Sequence, residues 1–130
     1  VLEPLRGYLL LAEKLASGGA VAPAYNFGPR AESAPVREVL SQAAAVFGDM
    51  RIDCAKIPEG PDEAQTLALD PSLAEADLGL SSLWGLNTTV ALTARWYRDF
   101  LAGRSARELC EADCCAYLES VKRASMACVR

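Results

Sequence analysis

The sequence predicts a mixed α/β lobe, helix-rich with a few short strands, too few to close a sheet of their own. Three observations predict it. Apolar residues recur at helical spacing in several separate stretches, and short stretches between them read as strands bounded by Gly and Pro. At 130 residues and 52% hydrophobic, the chain can bury one modest core.

The first helix carries Leu5, Leu9, Ala12 and Leu15 on one stripe, widened by Tyr8 and Leu11, and Ser17-Gly18-Gly19 closes it. So much apolar surface needs cover on more than one side. Ala24-Tyr25-Asn26-Phe27-Gly28-Pro29 reads as a short strand ending at a Gly-Pro turn, where a backbone can pass close to a ligand. A second helix runs from Pro35 to Gly48, with Val36, Val39 or Leu40, Ala43 and Phe47 inward. Arg51 to Ile57 alternates loosely as a strand, and Pro58-Glu59-Gly60-Pro61 breaks it. Thr66 to Leu69 is a third short strand; Asp70 as N-cap and Pro71 in the first turn then open a helix that Gly79 ends. Asn87 reads as the N-cap of a strong helix through Trp96, Tyr97 and Phe100 to Gly103, its aromatic stripe assigned to the core. Ser105 and Glu108 form a capping box for a last helix that frays near Lys122-Arg123.

Composition narrows the function classes. With 13 basic against 17 acidic residues, the net charge of -4 does not suit nucleic acid or an anionic membrane surface. No apolar run is long enough to cross a bilayer, and no leader-like segment opens the chain, which favours the cytoplasm. The abrupt apolar start reads as a fragment. Five cysteines, an odd number without loop-punctuating spacing, fit a reducing compartment. Cys110, Cys114, Cys115 and Cys128 cluster near the end, but without a Cys-x-x-Cys pair they read as small apolar residues of a helical tail over 110–130, and no metal site is assigned. There is no histidine, so the chain supplies no Ser-His-Asp or Cys-His set. No catalytic residue is assigned.

Val1-Leu2-Glu3-Pro4-Leu5 with Gly7-Tyr8-Leu9, Asn26-Phe27-Gly28-Pro29, Glu63-Ala64 with Leu67 and Leu69-Asp70, and Trp96-Tyr97 with Leu101-Ala102-Gly103 follow one another in an order that resembles a known family. It is the C-terminal part of the CDP-glucose 4,6-dehydratases, within the extended short-chain dehydrogenase/reductase family of sugar-nucleotide enzymes. The resemblance runs from Val1 to about residue 109. It implies a substrate-binding lobe over 1–109 that lacks the Rossmann half. In the family that half holds NAD, and a Tyr-x-x-x-Lys pair helps oxidise the sugar. Neither a G-x-G-x-x-G nor a Tyr-x-x-x-Lys occurs here. The implied partners are a nucleotide sugar such as CDP-glucose, the N-terminal Rossmann half, and a second copy in a homodimer.

The same resemblance implies the site residues. Glu63 falls where the family places an acid near the nucleotide ribose, with Asp62 beside it; a carboxylate accepts hydrogen bonds from vicinal hydroxyls. Asn26 and Gly28 sit on the close-approach turn, and Glu3 at the family's strand-to-helix junction near the nucleotide. The family's Pro-His-Glu-Ala reads Pro61-Asp62-Glu63-Ala64 here, placing a second anion where it repels a pyrophosphate. Such drift keeps two alternatives open: a non-catalytic module or protein-interaction remnant, and another sugar-nucleotide epimerase or dehydratase.

Overall fold

The computed structural model describes residues 1–29, 34–48, 50–53 and 68–127. Five helices follow in order: α1 (Leu2–Ala16), α2 (Val36–Phe47), α3 (Ser72–Leu78), α4 (Leu86–Leu101) and α5 (Ala106–Ala127). Each of the five expected helices is present. No strand occurs among the described residues, so the expectation of a few short strands is not confirmed, and the first of them, over 24–29, is irregular instead. Residues 24–28, 51–53 and 68–69 are irregular, and the rest of the second and third expected strands lies outside the described residues. A strand needs a neighbour to satisfy its N–H and C=O groups. Around 22–28 side chains take part of that role instead: the Ala22 N–H donates to the Tyr25 hydroxyl at 2.8 Å.

The chain divides into two compact units. One comprises Val1–Ala31, Leu69–Gly85 and Glu111–Arg130, the other Glu32–Ala68 and Leu86–Cys110. In the first, α1 packs on α3. α1 closes as the sequence expects: Gly18 adopts φ +75°, its N–H reaches Leu15 O at 3.0 Å, and the Gly19 N–H reaches Lys14 O at 2.9 Å. This paired closure satisfies two of the helix's free carbonyls and requires a left-handed residue. Gly7 is buried on the inward side of α1, where a Cβ would lie 2.6 Å from the Phe27 ring. Ala74, Leu80 and Tyr117 are buried in the same unit.

The apolar stripe of α1 faces the other way. Leu5, Tyr8, Leu9 and Leu15 are exposed, while Arg6 donates to Ser81 O at 3.2 Å and Lys14 to Asp77 O at 2.9 Å. α3 begins one residue later than expected. Asp70 stands before the N-cap position, held by Pro71, and its Oδ1 accepts from the Ser72 N–H at 2.9 Å and from the Ser72 hydroxyl. Asp70 thus starts the helix from one position further back. Gly79 ends it in the left-handed region, as expected.

In the second unit α2 packs on α4. α2 ends at Gly48, as expected, but Val36 is 74% exposed rather than inward. It is the first residue of the helix, where the chain has only begun to turn onto its partner; Val39, Leu40, Ala43 and Phe47 are half-buried. Asn87 is not the N-cap of α4. The helix already includes Leu86, and the Asn87 Oδ1 accepts from Gln42 Nε2 at 2.9 Å, a bond to α2. Arg98 extends the same contact by donating to Val46 O at 3.3 Å. The aromatic stripe is a local stack rather than a core: Trp96 lies parallel to Phe100 with centroids 5.2 Å apart and edge-on to Tyr97, while Tyr97 and Phe100 are exposed. α5 starts directly after Ser105 and continues to Ala127, past the expected fraying at Lys122-Arg123.

Candidate functional site

The turn at Asn26-Phe27-Gly28 is held in the first unit by three kinds of contact. Phe27 fills the space left by Gly7 and meets Tyr8 edge-on at 5.3 Å, with Tyr25 stacked at 6.3 Å. Asn26 Nδ2 donates to Asp70 O at 3.3 Å. At Gly28 a Cβ would lie 3.4 Å from Leu69 Cδ1, so the turn runs in van der Waals range of the segment before α3. Asn26 itself is exposed, and its amide oxygen is directed to no partner among the described residues. The structure therefore brings together Asn26, Gly28 and the Leu69–Asp70 segment. Glu63 and Asp62 lie outside the described residues.

Below this turn, the Tyr25 hydroxyl donates to Asp77 Oδ2 at 2.8 Å. The Ala22 N–H pulls the phenol's pKa down, but burial and the Asp77 carboxylate outweigh it and hold Tyr25 above its ordinary value. Asp77 is thus bound twice, by Tyr25 on its carboxylate and by Lys14 on its carbonyl. Neither contact is legible in the sequence, because the partners are 52 and 63 residues apart. Leu10, Glu13, Lys14, Ser17, Asp77 and Leu78 line a shallow open hollow of about 310 Å³. That lies at the small end of ligand pockets, which are closed on more sides and gather several polar groups.

Glu3 is placed apart from Asn26 in its contacts. Its Oε1 accepts the Leu83 N–H at 2.8 Å and the Trp84 N–H at 3.1 Å, tying the loop after α3 to the first turn of α1. Next to it Trp84 Nε1 donates to Ser120 Oγ at 3.1 Å and meets Tyr117 edge-on at 5.0 Å. Tyr117 is 5% exposed, and its hydroxyl has no hydrogen-bond partner among the described residues. Burial first, and then the Glu3 carboxylate, push its pKa up to about 12, with Arg6 opposing. Among the described residues there is no group of three or more metal-ligating side chains, Cys110, Cys114 and Cys115 are free and exposed, and no helix is long and apolar enough to cross a membrane.

No protein family model matches the chain, and no solved structure matches it. Among curated proteins, the CDP-glucose 4,6-dehydratase of Salmonella typhimurium is 32% identical over 128 residues, covering 95% of this chain and 35% of the relative. The chain is related to that protein and spans about a third of its length.

Proposed function

We propose that the chain is the substrate-gripping portion of a CDP-glucose 4,6-dehydratase, contributed to an NAD-dependent sugar-nucleotide enzyme whose dinucleotide-binding half and catalytic residues lie in other sequence. The observation that carries this reading is the 32% identity across nearly the whole chain. The geometry supports it at one place: a turn whose Asn26 is exposed and whose Gly28 carries no side chain of its own, pinned against Leu69 and Asp70. Such a turn offers main-chain N–H groups and a carboxamide to sugar or phosphate oxygens. Glu63, with Asp62 beside it, is the proposed acceptor for ribose hydroxyls. NAD belongs to the other half, because this sequence has no Gly-rich phosphate loop.

Titrating CDP-glucose into the ¹⁵N-labelled chain and following amide shifts tests the reading. Shifts are expected at Asn26, Gly28 and Glu63, saturating at sub-millimolar to millimolar ligand, weaker for Asn26→Ala and smaller for a UDP- than for a CDP-sugar. No shift at several millimolar ligand overturns retained binding. Equal response to every nucleotide sugar overturns the CDP-glucose assignment and favours a sister epimerase or dehydratase.

A further inference from the structure

α5 carries thiols that its own packing does not use. The helix buries Tyr117 and half-buries Asp113, Ala116 and Ser120, all on one side. Cys110, Cys114 and Leu118 follow at four-residue intervals along the next edge, each exposed, and Cys115 is exposed as well. The expectation that these cysteines pack as small apolar residues is therefore corrected: Cys110, Cys114 and Cys115 are free and face solvent. A thiol that serves only as a small hydrophobe is among the most buried side chains. Four residues along an α-helix advance about 6 Å and turn about 40°, which puts the Cβ atoms of Cys110 and Cys114 about 5–6 Å apart on one edge of α5. A disulfide needs about 3.8 Å between Cβ atoms, so the pair does not close on itself within the intact helix. It has the span for one metal atom held between two sulfurs by bonds of about 2.3 Å. Cys115 stands about 100° further round than Cys114 and does not face the same atom.

We infer that Cys110 and Cys114 form a two-thiolate site for a soft monovalent metal ion, copper(I), on the outer edge of α5. The number of donors selects the ion. Among the described residues no group of three or more His, Cys, Asp and Glu side chains is placed to hold a metal, and a structural zinc site takes four ligands. Copper(I) prefers thiolate sulfur and is satisfied by two donors in a line. The edge suits a soft ion, since Leu118, 57% exposed, continues it one turn beyond Cys114 with an apolar side chain. Binding forms two Cu–S bonds as two S–H protons leave to solvent; the copper stays monovalent, and no oxidant or reductant is consumed. The site belongs to this one helix. It depends neither on the turn at Asn26 nor on the nucleotide-sugar reading.

Titration of the reduced 130-residue chain with copper(I), without oxygen and against a coloured copper(I) chelator, tests it. The background is Cys54→Ser, Cys115→Ser and Cys128→Ser combined, which leaves Cys110 and Cys114 as the only thiols. One copper per chain is expected, with two sulfur neighbours by X-ray absorption. Cys110→Ser or Cys114→Ser, each at an exposed position and checked for an intact helix by circular dichroism, is expected to weaken binding at least about tenfold. Cys114→Ser with Ala112→Cys moves the second thiol about 200° round from Cys110, to another exposed position, and is expected not to restore binding. A background chain that takes no copper from the chelator overturns the proposal. So does unchanged affinity after either serine substitution, full recovery by Ala112→Cys, or a copper that bridges two chains, seen as a doubled mass in sedimentation.

Discussion

Gly7→Ala sets two opposed effects against each other at one atom. In an isolated helix the change stabilises by about 0.5–1 kcal/mol, because glycine gives up more backbone freedom than alanine on folding. Here the new Cβ would lie 2.6 and 2.7 Å from two Phe27 ring atoms and 3.0 Å from Leu80 Cδ2, closer than carbon atoms approach. Phe27 has little room to yield, since Tyr8 abuts its ring edge-on and Tyr25 stacks on it. Overpacking of that kind costs about 1–3 kcal/mol. The net is a loss of about 1 kcal/mol, or roughly 3–4 °C in Tm for a chain of this size. Urea unfolding followed by far-ultraviolet circular dichroism measures it, with Gly7→Val as the graded control that must lose more. Because Phe27 lies between Asn26 and Gly28, the same variant is expected to move both amides. A higher Tm for Gly7→Ala would refute the reasoning: helix propensity would have won, and the Phe27 turn would be free to shift.

Glu3→Ala leaves the Leu83 and Trp84 N–H groups without their carboxylate and is expected to cost about 2 kcal/mol, with faster amide exchange at those two positions; Glu3→Gln, which keeps an acceptor oxygen, recovers part of the loss. Tyr117 tests burial without a partner. Its folded pKa stands above the ordinary 10.0, so the unfolded chain loses that proton first, and stability is expected to fall as pH rises from about 10 to about 12. Tyr117→Phe removes that alkaline loss and, because the hydroxyl has no partner among the described residues, is neutral or stabilising at pH 7 by up to about 1 kcal/mol; denaturation curves at pH 7 and across pH 9–11.5 check both.

What was legible in the sequence was local. Gly18, Gly48 and Gly79 end their helices as read, because a left-handed closure depends only on the residue and its immediate neighbours. Asn87 departs from its expected capping role for the opposite reason: a good capping residue sits inside α4, its amide oxygen taken by Gln42 across the α2–α4 contact, 45 residues away in sequence. The stretch 24–28, ending at Gly-Pro, passes for a strand, yet a strand is defined by its neighbour, and Asn26 and Tyr25 turn their side chains to Asp70 and Asp77 instead. Glu3 is legible as an acid at a helix start. Its reach to Leu83 and Trp84, 80 and 81 residues on, is tertiary and leaves no periodic trace.

The sequence holds two tryptophans, and each compact unit has its own. Trp84 is clamped by Ser120 and the Tyr117 edge, whereas Trp96 lies against Phe100 on α4. The molecule therefore carries a separate built-in fluorophore for each half: with Trp96→Phe the emission follows the helices around α1, and with Trp84→Phe it follows the α2–α4 pair. Two melting curves that coincide would mean the halves unfold in concert; two that part would give the order in which they let go.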